Sequence, residues 1–443
     1  MTIIKAGPDP LADLAAFLEP FASLLRRSES RQTLERYATG LLADLPRKTA
    51  SDIGRALPET NGQRLQELLT RTAWEVAEMD AIRIAMMRER ASVGDGILIV
   101  DDTGFPKKGK HSVGVSRQYS GTLGRIDNCQ VVVTTHYVDA VFDWPVNARL
   151  YLPKTWTRDR GRCRKAQVPE QIAFRTKGQI ALDLTDEAMA AGLAPRAAIA
   201  DAGYGDQPTL LDGWEARDLP YVVAVERTAS FRLAAAVDAD PGDGPPPPYQ
   251  GVGRPKKPAA LKDRIAQQTA EQILEALPQE AWETVAWRDG TKGPLVKRFA
   301  RVRVYRTRQR AGHHESCGWL IGERPLPGRS GDHKQYFAWS LDELALADLA
   351  HVRWVIERFY QDAKGELGLD DYEGRLWHGL HRHLALVMLA HSFLTLHQSY
   401  GPEATARGAP AGPIHGPSRV TPPARGFPPR RPQKHRGPSA PSP

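Results

Sequence analysis

Cysteine is scarce in this chain. Its 443 residues include three cysteines, Cys129, Cys163 and Cys317, which stand far apart and form no CxxC pair. Their small number and wide separation exclude a disulfide scaffold. Because no histidines stand at zinc-ligand spacing beside them, a zinc finger is excluded as well. Long apolar runs are lacking too, and the run Leu384–Ala390 is far shorter than a membrane span. With no secretory leader pattern at the N-terminus, we expect a soluble, reduced, cytoplasmic protein.

Net positive charge is scarce outside one end of the chain. The whole sequence carries +8, from 60 Lys and Arg against 52 Asp and Glu. Residues 401–443 hold seven Lys or Arg and one acid, a net +6, which leaves about +2 for the other 400 residues. This tail also contains 12 prolines and almost no apolar periodicity, so we predict that it is disordered. The basic balance favours a polyanionic partner without requiring one.

The chain divides into five stretches of different composition. Residues 1–92 carry apolar residues at helical spacing and form a predicted helical domain, either a plain bundle or a DNA-contacting module. Residues 240–339 begin as a Pro- and Gly-rich linker and continue as a predicted β-rich insertion. The insertion interrupts a predicted α/β core at 93–239 and 340–400, and the tail of residues 401–443 follows.

The predicted core is a series of strands with helices among them. Its strands are apolar or alternating runs that end at turns, and its first helix lies at about 169–191. A later helix is predicted to open at Ser340, where Glu343 completes a capping box. The predicted strands are Ile97–Val100, Gln130–Val138, Val146–Leu152, Ala197–Ala200 and Tyr221–Val225.

Aspartates stand at the ends of two of these strands. Asp101 and Asp102 follow the first strand, and Asp201 follows the fourth. A carboxylate at the end of a buried strand is held rigidly and can face a metal ion, while its chain neighbour points to the other side of the sheet. Taken singly, each aspartate is also explained as a residue that begins a turn beside glycine.

A third acidic candidate lies in the segment HVRWVIERFYQDAKGELG. Arg353, Glu357 and Lys364 are four and seven residues apart, which places them on one narrow stripe of a helix. The stripe borders the apolar face, so the carboxylate of Glu357 can reach a site beside the sheet. The alternative is an ordinary surface ion pair between Arg353 and Glu357.

Together, the three acidic residues fit one kind of chemistry. Two divalent cations held by carboxylates activate water or a 3′ hydroxyl and stabilise the leaving oxygen in phosphodiester displacement. Oxygen ligands favour Mg²⁺ or Mn²⁺ over softer metals. The sequence therefore predicts that Asp101, Asp201 and Glu357 bind two such ions and that Arg353 and Lys364 hold phosphates.

Three blocks of the sequence carry a family resemblance. They are DDTGFPKKGKHSVGVSRQYSG, ADAGYG and RWVIERFYQDAKGELGLDDYEGRLWHGLHRHLALVMLA. Most of residues 10–397 resembles insertion-sequence transposases of the IS701 group, close to the IS4 group, within the DDE (RNase H-like) superfamily. The resemblance implies a mixed five-stranded RNase H-type sheet with flanking helices and a metal-binding triad of Asp101, Asp201 and Glu357. The family's first block favours Asp101 over Asp102.

The resemblance extends to the YREK pattern of the IS4 group. Arg353, Glu357 and Lys364 match its arginine, glutamate and lysine, while the tyrosine expected three residues before the arginine is Ala350. That difference concerns a phosphate contact of the tyrosine and leaves the metal site unaffected.

Several further residues have two interpretations. Lys107, Lys108 and Lys110 either track DNA phosphates or form a solvated charge run. Trp287 and Trp319 of the insertion are candidates for stacking a flipped base, as in the resembled family, although buried core is the better explanation.

Two clusters are less specific. GRPKKP, residues 253–258, resembles a hook for the minor groove of DNA, but a basic linker explains it more simply. His378, His381 and His383 do not stand at HExxH spacing, so we expect a polar or DNA-facing surface there and no metal ligands.

The sequence thus favours a DNA transposase that cuts at the ends of its own element and joins the 3′ ends to target DNA. The resemblance implies a homodimer on double-stranded DNA, associated with the nucleoid when acting. Two alternatives remain: a catalytically inactive, transposase-derived DNA-binding protein, and an RNase H-like structure-selective nuclease.

Overall fold

Most of the chain between residues 10 and 400 is described by the computed structural model. The gaps lie at 92–93, 122–123, 140, 142, 241–264, 291–292, 308–315 and 342–351. The sequence expectations for the linker beyond residue 240, including GRPKKP, fall outside the described residues. So do those for Glu343, Ala350, the side chain of Trp287 and the tail from residue 401.

Helices make up the first part of the described chain. Thr49 and Asn61 each begin a helix because their side chains accept a backbone N–H of its first turn, from Asp52 and Gln63 respectively. The helices are α1 (Pro10–Leu18), α2 (Ser28–Leu42), α3 (Ala50–Ala56), α4 (Gly62–Thr70) and α5 (Val76–Arg88), with a 3-10 turn at Glu19–Leu24.

The core strands form a mixed sheet in the order β4-β3-β1-β5-β6. Strand β3 is antiparallel to β1 and β4, whereas β5 and β6 run parallel to β1. This arrangement confirms the predicted RNase H-like sheet. The strands are β1 (Ile97–Pro106), β2 (Ser116–Ser120), β3 (Arg125–Val138), β4 (Asp143–Leu150), β5 (Ala197–Ala200) and β6 (Tyr221–Ala224).

The helices of the core connect and cover these strands. The helix predicted at about 169–191 begins only at Lys177, because Thr176 and Gln179 form a capping box there. The helices are α6 (Lys154–Thr157), α7 (Arg160–Lys165), α8 (Lys177–Ala190), α9 (Ala202–Gly205), α10 (Pro208–Glu215), α11 (Ala234–Asp238), α12 (Ala270–Glu275), α13 (Trp354–Glu366) and α14 (Trp377–Tyr400), with a 3-10 turn at Gln279–Ala281.

The strands that follow β6 extend the core sheet. Strand β12 pairs antiparallel with β6, and β11, β10, β7 and β8 continue in that order, with β9 on β10. The described insertion is therefore continuous with the core, while the domain limits given above remain predictions. These strands are β7 (Ser230–Leu233), β8 (Gln268–Thr269), β9 (Glu283–Gly290), β10 (Gly293–Arg306), β11 (Cys317–Arg324) and β12 (Lys334–Trp339).

The sheet has two buried faces. On the front face, Ile97 and Ile99 pack in one apolar cluster with residues of α13 and α14, such as Ile356. On the back face, Val100 packs with α8 and α10 through residues such as Leu184. Because successive side chains of a strand alternate, Asp101 belongs to the front face and Asp102 to the back face.

The histidines of α14 connect this helix to the N-terminal helices. The side chain of His383 is buried, its Nδ1 accepts the hydroxyl proton of Tyr37 at 2.9 Å, and its Nε2 donates to the carbonyl oxygen of Gly368 at 2.9 Å. His378 bonds to the carbonyl oxygen of Thr70 at 2.9 Å. Burial lowers the pKa of His383 and His381 to about 4. The predicted polar surface is therefore wrong for His383, since a neutral imidazole fits this core, whereas His378 and His381 are half-buried.

Arg83 joins α5 to β4. Its guanidinium is fully buried, donates to the carbonyl oxygen of Pro145 at 2.6 Å and pairs with Asp80 at 2.8 Å. We expect Arg83→Leu to lower the free energy of unfolding by about 3–5 kcal/mol, because Asp80 loses its counter-ion in the core. Chemical denaturation measures this loss. Arg88→Leu, on the exposed end of the same helix, is the control, and an equal effect of both changes would contradict the argument.

Candidate active site

The two strand-end aspartates lie side by side. Strands β1 and β5 pair in parallel with a constant offset of 100 residues, up to Val100 beside Ala200. One residue further, the same register places Asp101 next to Asp201. Directly paired residues of neighbouring strands point to the same face, so both carboxylates belong to the front face.

Asp201 also caps the short helix α9. Its Oδ1 accepts the backbone N–H of Tyr204 at 3.2 Å. At the end of α9, a Cβ on Gly205 would lie 2.0 Å from the carbonyl oxygen of Ala224, so only glycine allows α9 to approach β6 this closely. The turn-capping role that the sequence offered as an alternative is therefore present, and it holds Asp201 in place.

Asp102 is bound to groups on the back face. Both of its oxygens lie 3.0 Å from Nζ of Lys177, and the hydroxyl of Tyr204 donates to Oδ2 at 3.1 Å. Lys177 is the first residue of α8, on the side of the sheet away from α13. The two adjacent aspartates therefore have different partners.

Arg353 connects Asp101 to Glu357. Its Nη1 donates to Oδ2 of Asp101 at 2.8 Å, and its Nη2 donates to Oε1 of Glu357. Arg353 directly precedes α13, and Glu357 lies in the first turn of that helix. The ion pair predicted between Arg353 and Glu357 exists, but it also includes the buried Asp101, so it is not only a surface pair.

Helix α13 is fixed against the sheet through its apolar face. The hydroxyl of Tyr360 and Oγ1 of Thr134 are 2.6 Å apart, and Thr134 is the β3 partner of Asp101. Arg358 pairs with Asp143 of β4 at 2.5 Å. The buried residues of the helix are Val355, Ile356, Phe359, Tyr360 and Ala363. The backbone of α13 at Glu357 is thus held in place relative to β1.

The electrostatics of the site favour an added positive charge. Burial raises the pKa of Asp101 to about 7, although Arg353 opposes that effect, and the charge of Asp201 adds to it. Burial likewise raises the pKa of Asp201. Burial alone would lower the pKa of Arg353, but Asp101, Glu357 and Asp201 raise it above its usual value. The positive charge of Arg353 therefore does not fully balance the negative charge of the carboxylates.

The donor set fits a hard divalent cation, although the guanidinium now lies between the donors. Among the described residues, no three His, Cys, Asp or Glu side chains converge as a ready metal site. Asp101 and Glu357 instead bind two nitrogens of the same guanidinium. Carboxylate oxygens are the ligands that Mg²⁺ and Mn²⁺ prefer. A metal ion would therefore replace Arg353 as the partner of these oxygens.

The predicted phosphate-binding lysines differ in their surroundings. Nζ of Lys364 donates to the carbonyl oxygen of Gly104 at 3.2 Å, near the end of β1. Nζ of Lys107 donates to the carbonyl oxygens of Asp370 and Tyr372 at 3.0 and 2.9 Å, whereas Lys108 is exposed. Lys107 thus ties β1 to the loop after α13, while Lys108 faces solvent.

Trp319 of the insertion is partly buried and carries cations against its ring. The guanidinium carbons of Arg303 and Arg301 lie 5.1 and 5.6 Å from the ring centroid. This tryptophan packs against the front-face core. The ring of Trp319 is therefore held in place by packing against the core and by these two guanidinium groups.

The sequence interpretation missed two residues near the site, Lys177 and Tyr204. Their role as partners of Asp102 depends on how α8 and α9 pack on the back face. Tyr204 did have a signal, since it follows Asp201 by three residues in the ADAGYG block. Lys177 had only its position after the helix cap Thr176.

Comparison with known proteins identifies the family. A family model described as DDE superfamily endonuclease matches residues 20–294, more than half of the chain. The chain belongs to the DDE superfamily endonucleases. The match includes Asp101 and Asp201 and ends before Glu357, so the assignment of Glu357 remains a prediction.

This DDE endonuclease is also similar in sequence to a curated protein. Over 223 residues it is 28% identical to the protein "Probable transposase for insertion sequence element IS701" of Microchaete diplosiphon. The match covers 49% of this chain and 56% of the relative, so the chain spans about half the length of the curated relative. The resemblance to the IS701 group is confirmed. In the described part of this DDE endonuclease, every helix is too short or too polar to cross a bilayer.

Proposed function

We propose that this DDE endonuclease is the transposase of an insertion sequence, which cuts DNA at the ends of its own element and joins the 3′ ends to target DNA. One observation carries the proposal. Asp101, Asp201 and Glu357 come from three distant parts of the sequence, yet Asp101 and Glu357 bind one guanidinium at the front face of the sheet and Asp201 is the register neighbour of Asp101.

The three carboxylates would hold two Mg²⁺ or Mn²⁺ ions. When bound, such ions activate the attacking oxygen and stabilise the leaving oxygen of a phosphodiester. The protein supplies rigid placement, since Asp101 lies in the central strand and Asp201 is fixed as a helix cap. Arg353 and Lys364 would hold the scissile strand through its phosphates.

One active site is sufficient for cutting and for joining. Hydrolysis and transesterification differ only in whether a water or a 3′ hydroxyl is aligned with the phosphorus. A transposition reaction brings two element ends together, so we propose that the protein acts as a homodimer on double-stranded DNA.

A cleavage assay tests the proposal. The substrate is a supercoiled plasmid that carries the DNA flanking the reading frame on both sides, incubated with Mg²⁺. We expect the wild type to cut it and Glu357→Gln to leave it intact, because the change removes one ligand charge and keeps the side-chain shape. Glu366→Gln is the matched control, since Glu366 is an exposed glutamate at the far end of the same helix.

The other outcomes separate the alternatives. Equal cutting by the wild type and Glu357→Gln would remove the site assignment. Binding without cutting in Mg²⁺, Mn²⁺ or Ca²⁺ would favour the inactive DNA-binding protein. Metal-dependent cutting that does not require the flanking DNA would favour the structure-selective nuclease.

A further inference from the structure

A two-stranded hairpin extends beyond the catalytic end of the sheet. Strand β1 pairs with β3 only as far as Cys129, which lies opposite Pro106. The earlier residues of β3 pair with β2, from Ser120 beside Arg125 to Arg117 beside Asn128. We call residues 116–128 the outer hairpin. Since β1 runs from Ile97 through Asp101 toward this end, the outer hairpin lies beyond the aspartates.

The outer hairpin exposes two large apolar side chains. Tyr119 is 59% exposed and Ile126 is 61% exposed, and the two residues are direct cross-strand partners. They are the most exposed large apolar side chains in the described part of the chain. On a narrow ribbon such a pair adds nothing to the core, and an exposed apolar patch rimmed by polar residues is typical of an interaction site.

The exposed pair faces the same way as the candidate active site. Thr134 of β3 is the partner of Asp101, and Ile126 precedes Thr134 by eight residues in one uninterrupted strand. An even number of residues keeps the side chain on the same face, so Ile126 and its partner Tyr119 belong to the front face. Arg117, two residues before Tyr119, shares that face.

The spacing along the strand suits a DNA duplex. Eight residues of an extended strand, at about 3.4 Å each, span roughly 27 Å. The rise of a duplex is also about 3.4 Å per base pair, so this length corresponds to roughly eight base pairs. A duplex that lies along β3 with a phosphate at Asp101 would therefore reach the outer hairpin within one helical turn.

The root of the outer hairpin is held firmly. Nδ2 of Asn128 donates to the carbonyl oxygen of Gly109 at 2.9 Å, and the backbone N–H of Lys107 donates to the carbonyl oxygen of Asn128 at 2.9 Å. Nη2 of Arg162 donates to the carbonyl oxygen of Lys110 at 2.7 Å. These bonds fix the direction in which the hairpin points, so the apolar pair is presented to a partner in a set position.

The charge of this region identifies the class of partner. Residues 107–128 include five Lys or Arg and one acid, Asp127, a net +4. That excess stands out against the small net charge of the chain outside the tail. Arg125 pairs with Asp127 at 3.0 Å, whereas Lys108, Lys110 and Arg117 are exposed. Cations at the root of the hairpin and on its front face, together with the apolar pair, fit a polyanion with apolar grooves, which describes duplex DNA.

We propose that the outer hairpin is a second DNA-contact surface of the protein. Tyr119 and Ile126 pack against sugars and base edges in the minor groove, roughly eight base pairs from the scissile phosphate. Lys108, Lys110 and Arg117 contact the flanking phosphates. The inference rests on the proposed function for the identity of the DNA, and the contact itself is measured without cleavage.

A binding experiment tests the inference. The probe is a fluorescein-labelled duplex of about 40 base pairs taken from the DNA flanking the reading frame, and its affinity is measured by anisotropy at several salt concentrations. We expect the double change Tyr119→Ala, Ile126→Ala to raise Kd at least about tenfold with an unchanged salt slope, since it removes apolar contacts with the DNA and no charge. Arg117→Ala should reduce the slope by about one.

Two controls separate the contact from a folding defect. Val141→Ala removes an apolar side chain that is 49% exposed beyond the opposite end of β3, and it should leave Kd unchanged. Tyr119→Trp, which keeps an aromatic ring, should keep the wild-type affinity. Hydroxyl-radical footprinting of the double variant should lose protection at roughly eight base pairs from the cleavage point and keep it at the cleavage point.

Other results overturn the inference. If the double variant binds DNA with wild-type affinity, the proposed hairpin contact is wrong. Plasmid cutting that depends on Glu357 would still support the proposed function. If the wild type does not cut the plasmid but the double variant binds DNA more weakly, the proposed function is wrong and the hairpin contact stands. If light scattering shows that the double change converts dimers to monomers without changing DNA affinity, the outer hairpin binds a second copy of the chain and the DNA contact is wrong.

Discussion

Asp101→Asn is expected to abolish metal-dependent cutting of the plasmid, whereas Asp102→Asn is expected to retain it within about tenfold. The two residues are adjacent in the sequence and chemically identical, so the comparison isolates the effect of position. Loss of a metal ligand removes several kcal/mol of transition-state stabilisation, which corresponds to about a thousandfold or more in rate. Initial rates of plasmid nicking at saturating Mg²⁺ measure both effects.

The difference follows from the two faces of β1. Asp101 points to the front face, where Arg353 connects it to Glu357, and its register neighbour is Asp201. Asp102 points to the back face and pairs with Lys177. Its loss is therefore expected to weaken the packing of α8 without removing a metal ligand. Inactive Asp102→Asn with active Asp101→Asn would show that the first ligand was assigned to the wrong residue.

The offset between the aspartates shows what the sequence makes predictable. Strands of four or more apolar residues that end in aspartate are visible in the sequence at Ile97–Val100 and Ala197–Ala200. Parallel pairing of those two strands places Asp101 beside Asp201 with no further assumption. Local patterns therefore predict the strands of the core and the positions of the two aspartates, whereas the RNase H-like arrangement of those strands was predicted from the family resemblance.

Other contacts depend on packing that no local pattern encodes. The spacing of Arg353 and Glu357 predicts a pair, but the third member, Asp101, comes from a strand about 250 residues earlier and is brought in only when α13 docks. The same holds for His383, whose ring reaches Tyr37 of α2. A polar residue near an apolar face looks the same in sequence whether it meets solvent or a buried partner.

Arg353→Gln is expected to strengthen Mn²⁺ binding by the DNA-free protein by about tenfold, or about 1.4 kcal/mol, and to weaken DNA cutting. In the free protein the guanidinium bonds Asp101 and Glu357, so a divalent ion must displace it to reach their oxygens. Removing the positive charge removes that competitor and leaves carboxylates that repel one another. Titration of Mn²⁺ followed by electron paramagnetic resonance measures the affinity directly, independently of any activity.

Lys364→Gln provides the matched control for this change. Lys364 is a second cation on the stripe shared with Arg353 and Glu357, but its Nζ donates to the carbonyl oxygen of Gly104. We expect its loss to alter Mn²⁺ affinity by no more than about twofold. Equal Mn²⁺ affinities in the wild type and Arg353→Gln would show that the guanidinium does not compete with the metal.

The same competition couples metal binding to DNA binding. If Arg353 leaves the carboxylates to hold a phosphate, DNA should raise the Mn²⁺ affinity of the wild type, and by reciprocity Mn²⁺ should raise its affinity for DNA by the same factor. In Arg353→Gln both enhancements should disappear, because the residue that exchanges one anion for the other is gone. A wild type whose Mn²⁺ affinity does not respond to DNA would contradict this exchange. If the exchange occurs, metal binding is strengthened where a DNA strand is in place to be cut.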